Sequence, residues 1–184
     1  MRKALYGFIY HRILGWKEIV TIPDIDKYVI CAAPHTSNWD LFIGKLFYGT
    51  IGRKTSFMMK KEWFFFPLGL IFKAMGGIPV DRKRKTSLVD QMAEEFASRK
   101  RFHLAITPEG TRKPNANWKK GFYFIAQKAN VPIVLIGIDY STKTITAEKM
   151  ITPSGNIDQD IKDIKRYFTR FKGRIPANFA TGDI

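Results

Sequence analysis

The chain has 184 residues, 45% of them hydrophobic, and carries 31 Lys and Arg against 16 Asp and Glu, a formal net charge of +15. That apolar fraction supports one sizeable core and excludes a disordered basic tail, while the length would cramp two independent domains. The excess is uneven: residues 1–130 hold 23 basic and 10 acidic residues, so an anionic partner is expected there, whether nucleic acid, a phospholipid surface or a phosphorylated substrate.

In chain order, residues 4–16 are apolar or aromatic around most of a helical circumference, with Arg2, Lys3, Arg12 and Lys17 beside them. The stretch is short and lacks a small-residue cleavage site, which argues against a secretory signal. Residues 1–17 read instead as an interfacial membrane-binding helix, with Leu5, Phe8, Ile9, Arg12 and Trp16 toward lipid. Residues 28–33 read as a buried strand and 38–47 as a helix; Cys31, the single cysteine, lies in that strand as a small core residue. One cysteine rules out an internal disulfide framework and a Cys-rich zinc module, and fits a reducing compartment.

Residues 56–59 suggest a short strand and 63–75 an aromatic helix or loop. The uncharged apolar run 63–72 is about half of the ~20 residues a bilayer span needs, and Pro67 interrupts it. Trp63, Phe64, Phe65 and Phe66 follow Lys60 and Lys61, a pairing that suits a second interfacial segment as well as it suits core. Residues 78–80 form a strand candidate whose Pro79 points to a strand end or edge.

Leu88, Met92 and Phe96 recur at helical spacing over 87–99, opened by a Ser87–Asp90 capping box. A strand over 102–107, a helix over 118–129, a strongly apolar strand over 132–138 and a weaker one over 143–150 follow. Ile157, Ile161, Ile164, Phe168 and Phe171 line one face of a closing helix. The alternation implies a single α/β domain over 1–184: a largely parallel central sheet flanked by helices, with the N-terminal amphipathic helix added.

In such sheets ligands bind beyond the carboxyl ends of the strands. Residues 34–40, Asp81-Arg82 and residues 108–112 all fall there, rich in functional side chains. His35 is a candidate general base, and Asp40, five residues on, can accept from its second ring nitrogen. No G-x-S-x-G elbow supplies a protein nucleophile, so a substrate hydroxyl would attack directly. Taken alone, such a pair is more often a helix cap and a solvated acid, and Ser37 and Asn38 are ordinary N-cap residues.

Arg82 directly follows a strand, where its guanidinium can fork onto a phosphate; Lys83, Arg84 and Lys85 read as a surface for a membrane or an acidic partner. Gly110 allows close backbone approach, Thr111 offers a hydroxyl and Arg112 a cation. Glu109 suits an anion site only if it orients an arginine or bonds a substrate hydroxyl. A simple Pro/Gly turn is the plainer alternative for this segment. The three histidines are far apart in the chain, with no metal-binding spacing, and there is neither a Walker A motif nor G-x-G-x-x-G. Metals and cofactors are therefore not expected.

Together these segments resemble the glycerophospholipid acyltransferase superfamily, the lysophosphatidic acid acyltransferase-like enzymes with an H-x4-D motif. His35, Ser37 and Asp40 fit the first block, residues 77–82 the second, 108–112 the third and 131–134 the fourth, in order across a little over half of the chain. Pro34, Thr107, Lys113 and Leu135 depart from the usual pattern without removing a proposed catalytic group. The resemblance implies transfer of a fatty acyl group from coenzyme A or acyl carrier protein to a hydroxyl of a lysophospholipid such as 1-acylglycerol-3-phosphate. His35 and Asp40 would be catalytic, Arg82, Glu109, Gly110, Thr111 and Arg112 would bind substrate, and backbone donors near the third block would hold the oxyanion.

An amino-acid-containing lysolipid is an alternative acceptor. The expected partners are the lysolipid, the thioester donor and an anionic membrane surface at the cytoplasmic face of the inner or plasma membrane. A basic nucleic-acid-binding module explains the charge but not the ordered motifs, so no nucleic acid is expected. A lipid-binding protein with a degenerate site is disfavoured by the intact His35/Asp40 pair.

Overall fold

The computed structural model describes residues 2–81, 86–182 and 184. An N-terminal helix, α1 (Arg2–Gly7), widens into a π-helical turn over Phe8–Ile13 and leads into β1 (Lys17–Val20). There follow β2 (Lys27–Ala33), α2 (Trp39–Thr50), β3 (Ser56–Lys60), α3 (Leu68–Ala74), β4 (Gly77–Val80), α4 (Leu88–Ser98) and β5 (Phe102–Ile106). Then come α5 (Gly121–Ala129), β6 (Ile133–Asp139), β7 (Thr144–Ile151) and α6 (Ile157–Phe168).

The seven strands order as β1-β7-β6-β2-β5-β3-β4. All neighbours pair in parallel except β6 and β7, whose four-residue connection is too short for a crossover and forces a hairpin. β2 lies between β6 and β5, buried on both faces, which is why it reads as an unbroken apolar run. β4 forms one edge, and Pro79 sits there exposed, where its missing N–H breaks no ladder. At the opposite edge lies β1, four residues of half-polar character that sequence periodicity does not single out.

Helices cover both faces. Met92 and Phe96 of α4, Phe122 and Ile125 of α5, and Ile161, Ile164 and Phe168 of α6 pack on one side. The Ser87–Asp90 capping box opens α4 as expected, with Asp90 N–H donating to Ser87 Oγ at 3.1 Å. On the other face Ile43 and Phe47 of α2 join Tyr10, Trp16 and the sheet residues Ile30, Val134 and Ile136. The N-terminal helix packs directly on α2; a Cβ on Gly49 would fall 2.4 Å from the Tyr6 ring, so only glycine permits this approach.

Trp16 is a correction to the interfacial reading. It is 4% exposed and packed in the core, so it presents no surface to lipid. Leu5, Phe8 and Arg12 are exposed as expected and Ile9 is half-buried. Among the aromatics of 63–66, Trp63, Phe65 and Phe66 are exposed, and only Phe64 turns inward against Phe72. Among the described residues no helix is long and apolar enough to cross a membrane.

Candidate active site

β6, β2 and β5 are adjacent and parallel, so the segments leaving their carboxyl ends meet at one edge of the sheet. From β2 comes the loop carrying His35, which turns into α2 and delivers Asp40 in the first helical turn. His35 Nδ1 lies 3.0 Å from Asp40 Oδ2. The same oxygen accepts the backbone N–H groups of Thr36 and Ser37, each at 2.9 Å. Oδ1 accepts the Tyr140 hydroxyl at 2.6 Å. Asp40 is buried, with four donors around its carboxylate, while the His35 side chain keeps 20% of its surface exposed. With Nδ1–H bonded to the carboxylate, Nε2 is the ring nitrogen left to receive a proton.

Of the two expected caps, Ser37 accepts from Trp39 N–H at 3.2 Å, whereas the Asn38 side chain caps nothing and accepts from Arg112 Nη1. That bond ties the third block to the start of α2 and holds the Arg112 guanidinium near His35. Asn38 is thus a site residue that its reading as an ordinary cap obscured. Gly110 adopts φ +66°, the left-handed region that glycine tolerates, and its N–H donates to Thr107 O at 3.2 Å, so that amide is not free for an oxyanion. Thr111 Oγ1 accepts from Lys113 N–H at 3.2 Å and stabilises the turn.

Glu109 is the second correction. Instead of facing substrate it is 2% exposed, and its Oε1 accepts the His35 backbone N–H at 2.9 Å. Oε2 has no partner among the described residues. Burial pushes its carboxyl up to about 7, a shift only partly opposed by the His35 N–H. Glu109 therefore braces the His35 backbone. Arg82 lies outside the described residues, and its expected contact with phosphate stays a proposal.

A cavity of about 710 Å³ opens beside the pair, between α2 and the sheet. His35, Asn38 and Arg112 line it at the carboxyl edge; Ile30, Ala105, Phe57 and Met59 furnish an apolar wall. Its α2 lining extends from Asn38 to Tyr48, about 15 Å of helix. Near the inner end Lys45 Nζ donates to Thr55 O at 2.9 Å and to Thr55 Oγ1 at 3.2 Å, and burial lowers the pKa of its ammonium.

Elsewhere, His103 bonds to Lys54 O and Ile25 O and stacks on Tyr28, a structural role. Cys31 is fully buried, and burial raises its thiol pKa far from reactivity. Among the described residues no three His, Cys, Asp or Glu side chains converge as a metal ion would require.

The C-terminal segment also shapes the site, which sequence patterning does not reveal. Ile175 N–H donates to Thr36 Oγ1 at 3.2 Å, and Gly173 lies so close that a Cβ there would fall 2.7 Å from the Thr36 side chain. The guanidinium of Arg174 sits 5.4 Å from the centre of the Trp39 ring.

Comparison with known proteins bears on the family and the fold. The chain is 32% identical over 104 residues to 1-acyl-sn-glycerol-3-phosphate acyltransferase beta of Homo sapiens, a match covering 53% of this chain and 37% of that one. It is 29% identical over 149 residues to the 1-acyl-sn-glycerol-3-phosphate acyltransferase of Streptococcus pneumoniae, covering 79% and 55% respectively. The chain thus spans about half or less of the length of these curated relatives. Its fold resembles the crystal structure of the 1-acyl-sn-glycerophosphate (LPA) acyltransferase PlsC from Thermotoga maritima, with a TM-score of 0.65 at 16% identity over 91% of this chain and 75% of that one. The Acyltransferase family model matches residues 17–139, more than half of the sequence and every strand from β1 to β6, and the chain belongs to that family.

Proposed function

We propose that the protein moves a fatty acyl group from a thioester, on coenzyme A or acyl carrier protein, to a free hydroxyl of a lysophospholipid of the 1-acylglycerol-3-phosphate type. The observation that carries this is the His35–Asp40 pair at 3.0 Å, at the mouth of an apolar cavity. The lysolipid hydroxyl gives its proton to His35 Nε2 as its oxygen attacks the thioester carbonyl; Asp40 stabilises the imidazolium. The tetrahedral oxyanion then collapses, the C–S bond breaks, and the departing thiolate takes the proton back from His35. No acyl-enzyme forms. The cavity takes the acyl chain toward Lys45, and Arg112, with Arg82, receives the acceptor's phosphate. The acceptor class also follows the names of the two relatives described above.

Lipid substrates call for a lipid surface, and the exposed apolar side chains fit one. Leu41 and Phe42 on α2 are exposed and line the cavity. Phe65 and Phe66 project beside Lys60 and Lys61, and Leu5 and Phe8 project from the N-terminal helix. Peripheral attachment through these groups would bring the lysolipid to the mouth.

The test is His35→Ala, assayed against both thioester donors and a panel of lysolipids by mass spectrometry. Transfer is expected to fall by about 10²–10⁴-fold with the circular dichroism melt unchanged. Wild-type turnover in this variant overturns the mechanism, and a preference for an amino-acid-containing lysolipid overturns the acceptor.

A further inference from the structure

One of the four bonds to Asp40 comes from a residue outside all the motif blocks. Tyr140 directly follows β6, and its hydroxyl donates to Asp40 Oδ1 at 2.6 Å. The residue is fixed from two further directions. Its backbone N–H donates to Lys172 O at 2.8 Å, and its ring meets the buried Trp16 edge-on, centroids 4.9 Å apart at 89°. Trp16 is held in turn by the N-terminal helix, through its N–H to Tyr10 O at 2.9 Å. Burial and the neighbouring carboxylate raise the pKa of the phenol, which keeps it a donor wherever the enzyme would work.

We propose that Tyr140 is a positioning residue for acyl transfer, fixing the Asp40 carboxylate through Oδ1 so that Oδ2 stays aimed at His35 Nδ1. The inference rests on His35 acting as the base. All three donors to Oδ2 come from residues 35–37, and a carboxylate held by one oxygen can pivot about it. A rigid donor on the second oxygen sets the plane. It also sets how much negative charge faces the imidazole: the positive end of the O–H dipole draws charge toward Oδ1 and away from His35. Among the described residues, the other charged groups around the pair are Glu109 at the His35 backbone, Arg112 at Asn38 and Arg174 near Tyr140, and none is altered by a change at the phenol.

Tyr140→Phe keeps the ring on Trp16 and removes only the donor. The expected result is a kcat about tenfold lower, the loss of one hydrogen bond to a charged group. KM for the lysolipid should stay within about twofold, and the acidic limb of the kcat/KM profile should move to higher pH by about 0.5. Tyr140→3-fluorotyrosine preserves volume and strengthens the donor, so the same limb should move to lower pH, which keeps the test open if the phenylalanine variant is too unstable to assay. His35→Ala is measured in parallel. Unchanged kcat and an unmoved limb in the Tyr140 variants, with His35→Ala inactive, overturn the role of Tyr140 alone; an active His35→Ala overturns the general-base reading itself.

Discussion

Glu109 is a carboxylic acid in a place where an acid costs stability. It is 2% exposed, one oxygen bonds the His35 N–H and the other has no partner among the described residues. Its carboxyl is raised from 4.5 to about 7, so between those values the native state holds a proton that the unfolded chain has lost. The stability from that protonated form is fully present below pH 4.5 and disappears as pH rises through about 7, a change on the order of 3 kcal/mol. Glu109→Gln retains an acceptor for the His35 N–H and carries no charge. The variant should therefore melt above the wild type at pH 8, with the gap closing toward pH 5, while acyl transfer falls. Thermal melts at the two pH values check this; an advantage that does not change with pH would mean Glu109 stays ionised throughout. A Glu is unexpected in a segment read as an anion site, but spacing carries no information about depth. His35 and Asp40 were legible through their place among four ordered motif blocks, since the pair alone reads more often as a helix cap and a solvated acid, whereas buried Glu109 and exposed Glu109 read alike.

Three loops at the carboxyl ends of β6, β2 and β5 build the site, and a fourth element, the segment after α6, presses on them. Gly173 meets Thr36, next to His35, with no room for a side chain: a Cβ would lie 2.7 Å from both Cγ2 and Oγ1. Gly173→Ala must push the C-terminal segment off the His35 loop or displace Thr36. It is expected to cost about 1–3 kcal/mol by overpacking and to lower transfer several-fold. Gly121→Ala is the control, because nothing lies within 4 Å of a Cβ at the start of α5. Equal melting temperatures and equal activities for the two variants would show that the segment gives way freely. The inner strands and long helices were readable from periodicity, since β2 and β6 are unbroken apolar runs and α4 carries its capping box. Four features were not: β1, too short and polar; the roles of Tyr140 and the 173–175 segment, which depend on contacts a hundred residues or more apart in sequence; and the π-helical turn of the N-terminal helix, beside which Tyr10 and Trp16 pack inward.

At the scale of the molecule, the excess of cations in residues 1–130 coincides with the exposed apolar groups: Leu5 and Phe8 near Lys3 and Arg12, and Phe65, Phe66, Leu70 and Ile71 near Lys60, Lys61 and Lys73. Cations beside exposed aliphatic side chains such as Leu5, Leu70 and Ile71 suit an anionic bilayer better than a nucleic acid, because an aliphatic group has no face to stack on a base but is buried at the headgroup boundary. Deleting residues 1–17 would be a poor test, since it removes Tyr10 and Trp16 from the core and would cost the fold as well as any anchor. Point changes separate the two patches. Leu5→Ser with Phe8→Ser removes one apolar patch, and Phe65→Ser with Phe66→Ser removes the other, in each case at side chains more than half exposed. Burying one such side chain contributes about 1.5–3 kcal/mol, so each double variant should bind anionic vesicles at least about tenfold more weakly in cosedimentation. Salt should weaken the wild type further, because the lysines act through a screened field. If both double variants bind as tightly as the wild type, the aromatics are not what touches lipid. If only the second loses affinity, attachment lies at the 63–71 surface and the N-terminal helix serves the fold, holding Trp16 against Tyr140.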